Sequence, residues 1–422
     1  MISIILLYPK SSSKQSWLEQ HRSKLKTALF IKVFRSGLKL YNNFMKYFLS
    51  KEAVLKWLET PSVYHIKNDE LYELDRESFE FLKGCSESGC NSQNTEFVDY
   101  CLREGILTEK KISIKRPPLI KSPHPSLRYL ELQITNRCNL KCKHCYIGNG
   151  ESRDELSVNK IRDILKEFEQ MQGLRVLITG GEPLLHNKFE EINKIFPQFF
   201  IRKVLFTNGV LLNKERIKRL NVDEIQISID GLEDAHDSLR GKGSFRLAMH
   251  AVKLSLDYGF HVSIATMVHP RNLNDFDEME RLFKNLGIKE WTVDVPCITG
   301  KLKENIEFQI SPEESGRYLR YGYGGGLHTA ASGFACGLHL MAVMADGKVT
   351  KCTFYSDTPV GRIEEGLNVC WQRVKPIRLD ELKCDCEYIE SCRGGCRYRA
   401  GLFGDALGKD LDRCALYGII NK

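Results

Sequence analysis

Residues 129–146 read Tyr-Leu-Glu-Leu-Gln-Ile-Thr-Asn-Arg-Cys-Asn-Leu-Lys-Cys-Lys-His-Cys-Tyr. The first seven, Tyr129–Thr135, form a candidate strand, and the rest is a loop carrying Cys138, Cys142 and Cys145. Three thiols on one short loop can converge on a single metal centre, yet a closed all-cysteine cluster needs four. An unfilled metal position is where substrate chemistry takes place, the logic that separates open from closed zinc sites. His144 as a fourth ligand would make a structural zinc site instead. Its place between two of the thiols, and the absence of a paired second knuckle, speak against that.

Outward from this stretch, strands alternate with amphipathic helices. Candidate strands are Tyr129–Thr135, Arg175–Thr179, Lys203–Thr207, Glu224–Ile229, His261–Met267 and Glu290–Val295, with helices such as Val158–Glu169, Phe245–Tyr258 and Asp275–Asn285 between them. Such alternation implies parallel strands joined by right-handed crossovers. Six repeats are too few for a complete eight-fold barrel, so the expectation is an α/β fold, a partial (β/α)6, TIM-like barrel or an open α/β sheet. Thr135, Thr179, Thr207 and Ser228 cluster at strand ends, where barrel folds place their active sites.

The chain has 422 residues, 42% hydrophobic and 27% charged, which excludes a disordered or fibrous protein. No apolar run approaches the ~20 residues of a bilayer span. The apolar stretch at Met1–Pro9 lacks a preceding basic residue and a small-residue cleavage site, so no signal peptide is expected. Residues 1–51 carry ten Lys or Arg against one acid, Glu19, and the remainder is near neutral, so charge gives no case for nucleic-acid binding. Within that basic segment, residues 14–50 read as one or two helices. They suit a membrane surface or a partner, or, as the preferred reading, form a solvated flank upstream of a start at Met45. Of 15 cysteines, eight lie between Cys336 and Cys414. Tight spacing, an odd count and no export signal favour metal ligation in a reducing, cytoplasmic compartment over a disulfide scaffold.

The CxxxCxxC loop followed by an aromatic resembles the signature of the radical SAM superfamily. The resemblance implies that Cys138, Cys142 and Cys145 hold three irons of a [4Fe–4S] cluster. S-adenosylmethionine (SAM) would chelate the fourth iron and be cleaved to a 5′-deoxyadenosyl radical. Three further motifs follow the family's order: Gly180-Gly181-Glu182-Pro183 after the second strand, Ser228-Ile229-Asp230-Gly231 at the end of the fourth, and Arg240 twelve residues past Ser228. By resemblance, Gly180, Gly181, Glu182, Ser228, Asp230, Arg240 and Tyr146 bind SAM, with Asn208 lining the same crevice. The glycines would let the backbone approach the ligand, and Glu182 would accept from its ammonium.

Cys336, Cys352, Cys384, Cys386, Cys392, Cys396 and Cys414 resemble the seven-cysteine SPASM domain, which implies two auxiliary [4Fe–4S] clusters and three clusters in all. Cys336, Cys352 and Cys396 would hold the first, left open for substrate, and Cys384, Cys386, Cys392 and Cys414 the second. The Cys384-x-Cys386 spacing departs from the more usual two intervening residues, and zinc is the competing ligand for such spacings. Cys370, in an apolar helical stretch, reads as core; Cys297, after the sixth strand, reads as a buried thiol near the active-site rim.

Residues 52–112 read as a separate module: a helix at about Ala53–Glu59, strands Ser62–Lys67 and Leu71–Leu74, a helix capped by Asp75, and another from Thr95 to Glu104 ending at Gly105. Cys85 and Cys90 read as a loop pair. The pattern resembles the PqqD-like element that binds leader peptides by strand addition; the alternative is a generic winged helix. The expected boundaries are 1–51 basic helical segment, 52–116 recognition domain, 117–127 linker, 128–325 radical SAM core and 326–422 SPASM domain. The resulting expectation is a cytoplasmic oxidoreductase that modifies a ribosomal peptide bearing a leader, with flavodoxin or ferredoxin as electron donor. Rival readings are a small-molecule enzyme acting on a tetrapyrrole, a sulfatase-type maturase and a non-catalytic Fe–S sensor. Thr353 counts against the sulfatase type, where the family carries an aspartate after the cysteine equivalent to Cys352.

Overall fold

The computed structural model describes residues 45–419 except 93, 148–151, 326–332 and 336. The helices expected before residue 45, and Cys336, lie outside the described residues.

The N-terminal module begins earlier than its sequence suggests. Strand β1 (Phe48–Leu49) pairs with the distant β5 (Leu107–Thr108), so residues expected in the basic helical segment belong to this module. The predicted helix at Ala53–Glu59 is instead a strand, β2 (Ala53–Trp57). It pairs antiparallel with β3 (Pro61–His65), which pairs with β4 (Glu70–Glu73). Ala, Leu and Lys favour helix, but backbone pairing to β3 and burial of Ala53, Val54, Leu55 and Lys56 outweigh that preference. Helices α1 (Arg76–Glu87) and α2 (Thr95–Arg103) follow as expected. The Asp75 side chain accepts the Ser78 N–H at 2.8 Å and Asn94 accepts that of Phe97 at 3.1 Å, satisfying donors that a helix start leaves open.

Strands β6 (Tyr129–Thr135), β7 (Arg175–Gly180), β8 (Arg202–Thr207), β9 (Glu224–Ser228), β10 (His261–Met267) and β11 (Glu290–Asp294) lie side by side in chain order, all parallel. Crossover helices bury one face against them. In α3 (Val158–Gln170), Ile161, Ile164, Leu165 and Phe168 recur at helical spacing and join Leu132, Ile134, Val176 and Ile178 of the sheet in one core. Ser157 caps this helix through the Lys160 N–H. Beyond it come α4 (Phe189–Ile195), α5 (Glu233–Arg240), α6 (Ser244–Asp257) and α7 (Phe276–Asn285).

The C-terminal region is continuous with this sheet. Strand β12 (Leu340–Val343) runs parallel beside β6, with β13 (Lys348–Thr350) and β14 (Gly361–Arg362) following antiparallel. Helix α8 (Leu367–Arg373) buries Cys370 as core, Cys396 caps the start of short helix α9 (Arg397–Leu402), and Cys414 lies in α10 (Leu411–Leu416). No helix among the described residues is long and apolar enough to cross a membrane.

The N-terminal module docks where the parallel strands start. Arg202, 1% exposed, donates to the Ile66 and Lys67 carbonyls at 2.8 Å each and to Glu224 at 2.7 Å. Arg175 pairs with Asp69, and the buried Lys56 amine donates to the Gly173 carbonyl at 2.7 Å. Burial pushes the Lys56 amine down to about 8.

Candidate active site at the strand ends

The opposite end of the sheet gathers the residues that the motifs single out. The cysteine loop leaves β6 and is held from three sides. The Lys143 N–H donates to the Leu239 carbonyl of α5 at 2.9 Å, and the Asn208 amide after β8 donates to Asn139 at 2.9 Å. The Lys301 N–H, after β11, donates to the Cys145 carbonyl at 2.9 Å. Cys138 is exposed, Cys142 and Cys145 are half-buried, and none is in a disulfide.

Gly180 and Gly181 meet neighbouring backbone closely. A Cβ on Gly181 would lie 2.4 Å from the Arg137 carbonyl oxygen, and one on Gly180 equally close to that of Thr135. These glycines admit the neighbouring backbone, and Gly181 N–H to Thr135 and Glu182 N–H to Arg137 bonds weld β7 to the cysteine loop.

Glu182 is fully buried. It accepts from Thr207 Oγ1 at 2.9 Å and from the Asn208 and Leu184 N–H groups at 2.9 and 3.2 Å. Among the described residues no cation lies within ion-pair distance. Burial therefore pushes its carboxyl up to about 7, against the pull of these three donors. A carboxylate offers about four lone-pair positions, so one acceptor position remains open, and the Arg216 guanidinium, beyond ion-pair distance, offsets its charge only weakly.

Asp230 is fully buried and paired with Arg240; its other oxygen accepts the Met267 N–H at 2.7 Å. His269 and Asn272 bond its carbonyl at 2.8 and 3.1 Å, and His236 Nδ1 accepts its N–H. Burial opposes ionisation of Asp230, but the Arg240 guanidinium, helped by His144 and His236, holds it below the usual carboxylate range. Arg240 in turn lies within electrostatic reach of the Cys142 and Cys138 thiols. Asp230 thus acts in this structure as the anchor of Arg240. Burial, with Arg240 nearby, pushes His144 down to about 3, and its Nδ1 has no hydrogen-bond partner. Ser228 is half-buried at the end of β9.

Tyr146 turns towards the C-terminal region: its ring lies 5.4 Å from Phe354. Glu131, on β6, accepts the Thr353 N–H at 2.8 Å and was not singled out from sequence. Tyr398, two residues past Cys396, stacks on Phe354, two residues past Cys352, at 5.5 Å, which draws those two cysteines into one neighbourhood. Cys384, Cys386, Cys392 and Cys414 form a second neighbourhood, the Cys414 thiol raised by burial and then by Cys392 and Cys384, and that of Cys392 by burial and, weakly, by Cys386. The buried Cys297 thiol lies within electrostatic reach of Cys396, 99 positions further along the sequence.

The donors suit the groups the motifs imply. Soft thiolates suit iron–sulfur clusters, as they also suit zinc and copper(I). Among the described residues no three His, Cys, Asp or Glu side chains close on a single ion. A cuboidal cluster asks for something different, because each thiolate binds a different iron. The weakly compensated Glu182 carboxylate and the unpartnered His144 nitrogen are what an incoming cationic, polar ligand would satisfy.

Residues 132–283 match the family model of the radical SAM superfamily. They form a radical SAM domain. Sporulation killing factor maturation protein SkfB of Bacillus subtilis (strain 168) is 28% identical over 275 residues, 60% of this chain and 66% of that protein. The AdoMet-dependent heme synthase of Nitratidesulfovibrio vulgaris is 24% identical over 351 residues, 70% of this chain and 94% of that one. The matches span about half to two-thirds of the length of the first curated relatives. Among solved structures, Streptococcus suis SuiB bound to its precursor peptide SuiA superposes with a TM-score of 0.62 at 16% identity, covering 86% of this chain and 98% of that one. At that identity the likeness concerns the fold, and it extends well beyond the radical SAM domain on both sides.

Proposed function

We propose that the chain is a radical SAM maturase that modifies a ribosomally made peptide. The six parallel strands are then a partial barrel, residues 52–116 a PqqD-like leader-binding domain, and residues 326–422 a SPASM domain with two auxiliary [4Fe–4S] clusters. The observation that carries the reading is a buried, weakly compensated Glu182 carboxylate at the same sheet end as three thiols free of disulfides.

In this reading Cys138, Cys142 and Cys145 hold the first cluster. When bound there, the cluster and SAM supply a carbon radical able to take hydrogen from an unactivated carbon. Glu182 neutralises the ligand ammonium, and Asp230 fixes the guanidinium of Arg240 so that its outer edge meets the ligand carboxylate. Asn208, Ser228 and His144 line the crevice, and Tyr146 ties the loop to the C-terminal region. β4, an edge strand of its three-stranded sheet, offers the leader a strand to pair with. That SkfB is a maturation protein, and that SuiB has been solved with a precursor peptide, support a peptide substrate. The reading includes a reducing, cytoplasmic setting and a flavodoxin or ferredoxin as electron donor.

A second reading rests on the heme synthase match, which spans 94% of that relative: a tetrapyrrole substrate. One experiment separates the two. Reconstituted full-length enzyme, SAM and reductant are incubated with peptides encoded beside the gene or with a propionate-bearing tetrapyrrole, and products are read by mass spectrometry. A mass change in a peptide is expected; turnover of the tetrapyrrole alone would overturn the peptide reading.

A further inference from the structure

Cys297 belongs to none of the motif sets, yet the fold brings it to one of them. It is 4% exposed and lies three residues past β11. Cys370, the other buried thiol of the central core, bonds the Arg362 carbonyl at 3.4 Å, the ordinary solution for a thiol without a chemical task. Cys297 has no such carbonyl partner for its thiol among the described residues; it lies within electrostatic reach of Cys396, to whose backbone its own segment is tied through Arg399 and Asp410.

A charged clamp holds this encounter in place. Arg399 of α9, 5% exposed, donates to Asp294 and to the Val295 carbonyl at 3.0 Å each, gripping the chain just before Cys297. The same guanidinium makes two 2.9 Å bonds to Asp410, whose carboxylate accepts the Cys396 N–H at 2.7 Å. One buried arginine therefore sets the backbone of both cysteines. On the other side, the segment after Cys297 bonds the Cys145 carbonyl through Lys301, so the same short stretch links the two cysteine-bearing regions.

We propose that Cys297 is an iron ligand of the auxiliary cluster that includes Cys352 and Cys396, an inference that rests on the SPASM reading above. A thiolate from the radical SAM domain then fills the position expected to be open for substrate. A cluster so closed has no iron free for a substrate thiolate and serves as a relay for electrons between the active site and the second auxiliary cluster.

The test uses full-length protein carrying Cys138, Cys142 and Cys145 all changed to Ala, which isolates the auxiliary clusters. After anaerobic reconstitution, iron analysis and EPR of the reduced sample are recorded with and without cyanide, a ligand for open iron sites. About eight irons per chain and no response to cyanide are expected. Adding Cys297→Ala should alter one of the two EPR signals and make it cyanide-sensitive; Cys297→Ser, an isosteric oxygen ligand, should keep the cluster with a shifted signal. Adding Cys370→Ala should change nothing. Unchanged spectra in both Cys297 variants, or a cyanide response with Cys297 present, overturns the proposal and leaves the SPASM reading standing. A triple-Ala protein without iron overturns both.

Discussion

The two ends of the parallel sheet both bury charge, and they differ in how completely they partner it. Where the strands start, Arg175 meets Asp69, Arg202 meets Glu224 and two carbonyls, and Lys56 meets a carbonyl. Where they finish, Asp230 meets Arg240, but among the described residues Glu182 has no ion-pair partner, and His144 Nδ1 and His236 Nε2 have no hydrogen-bond partner. Buried polar groups are normally satisfied, so the first end behaves as an adhesive for the N-terminal module and the second as a site waiting for a ligand.

The largest expected effect tests the strand-finish end. Changing Cys138, Cys142 and Cys145 together to Ala should abolish reductive SAM cleavage, followed as 5′-deoxyadenosine by chromatography, because no thiolate remains to hold the cluster. Changing Cys384 and Cys386 to Ala should keep uncoupled cleavage and lose product. Continued 5′-deoxyadenosine formation by the triple variant would end the assignment.

At the strand-start end the cost should fall on stability. Arg202→Met strands the Glu224 carboxylate and two carbonyls in a buried setting, at about 3–5 kcal/mol. Denaturant unfolding should report that loss, while SAM affinity of the residual folded enzyme stays within about twofold. A large SAM defect with little loss of stability would reverse the contrast between the ends.

A smaller effect concerns pH. The Glu182 carboxyl is raised from 4.5 to about 7 in the ligand-free fold, so between those values the native state holds a proton that the unfolded chain releases. Its contribution to stability therefore declines as pH rises through that window, by about 3 kcal/mol in all. A bound ammonium favours the ionised carboxylate, so SAM affinity should drop about tenfold per pH unit below 7. Glu182→Gln should weaken binding and flatten this profile; titration calorimetry of both proteins at pH 5.5–8 measures it. An unchanged slope in the variant would mean that another group carries the dependence.

The smallest effect concerns the N-terminal module. Leader binding by strand addition uses main-chain bonds and apolar pockets, so raising salt from ~50 to ~200 mM should shift the peptide affinity of the full chain less than about threefold. A fall of about a thousandfold would point to phosphate contacts and nucleic acid.

How legible the molecule was in its sequence depended on distance along the chain. The cysteine loop, the strand–helix alternation and the Asp75 cap are short-range patterns and were readable. Ala53–Trp57 was misread because its residues suit a helix in isolation, while the pairing with Pro61–His65 that overrides them leaves no mark within the segment. The spacing of the glycines after β7 implies a close approach, and only the fold shows that the backbone of Thr135 and Arg137 lies against them.

Residue order alone was enough for the chemistry that fits on one loop: three thiols within eight residues can share a cluster however the rest folds. It was also enough for the parallel sheet, because periodicity and right-handed crossovers leave few alternatives. The partnerships came from folding. Asp230 holding Arg240, Glu182 buried without an ion-pair partner among the described residues, and Cys297 brought near Cys396 across 99 positions depend on which strand ends and helices become neighbours. Side-chain spacing encodes local geometry, whereas burial and long-range contact are properties of the packed whole, and those set the charge and reach of each group at the site.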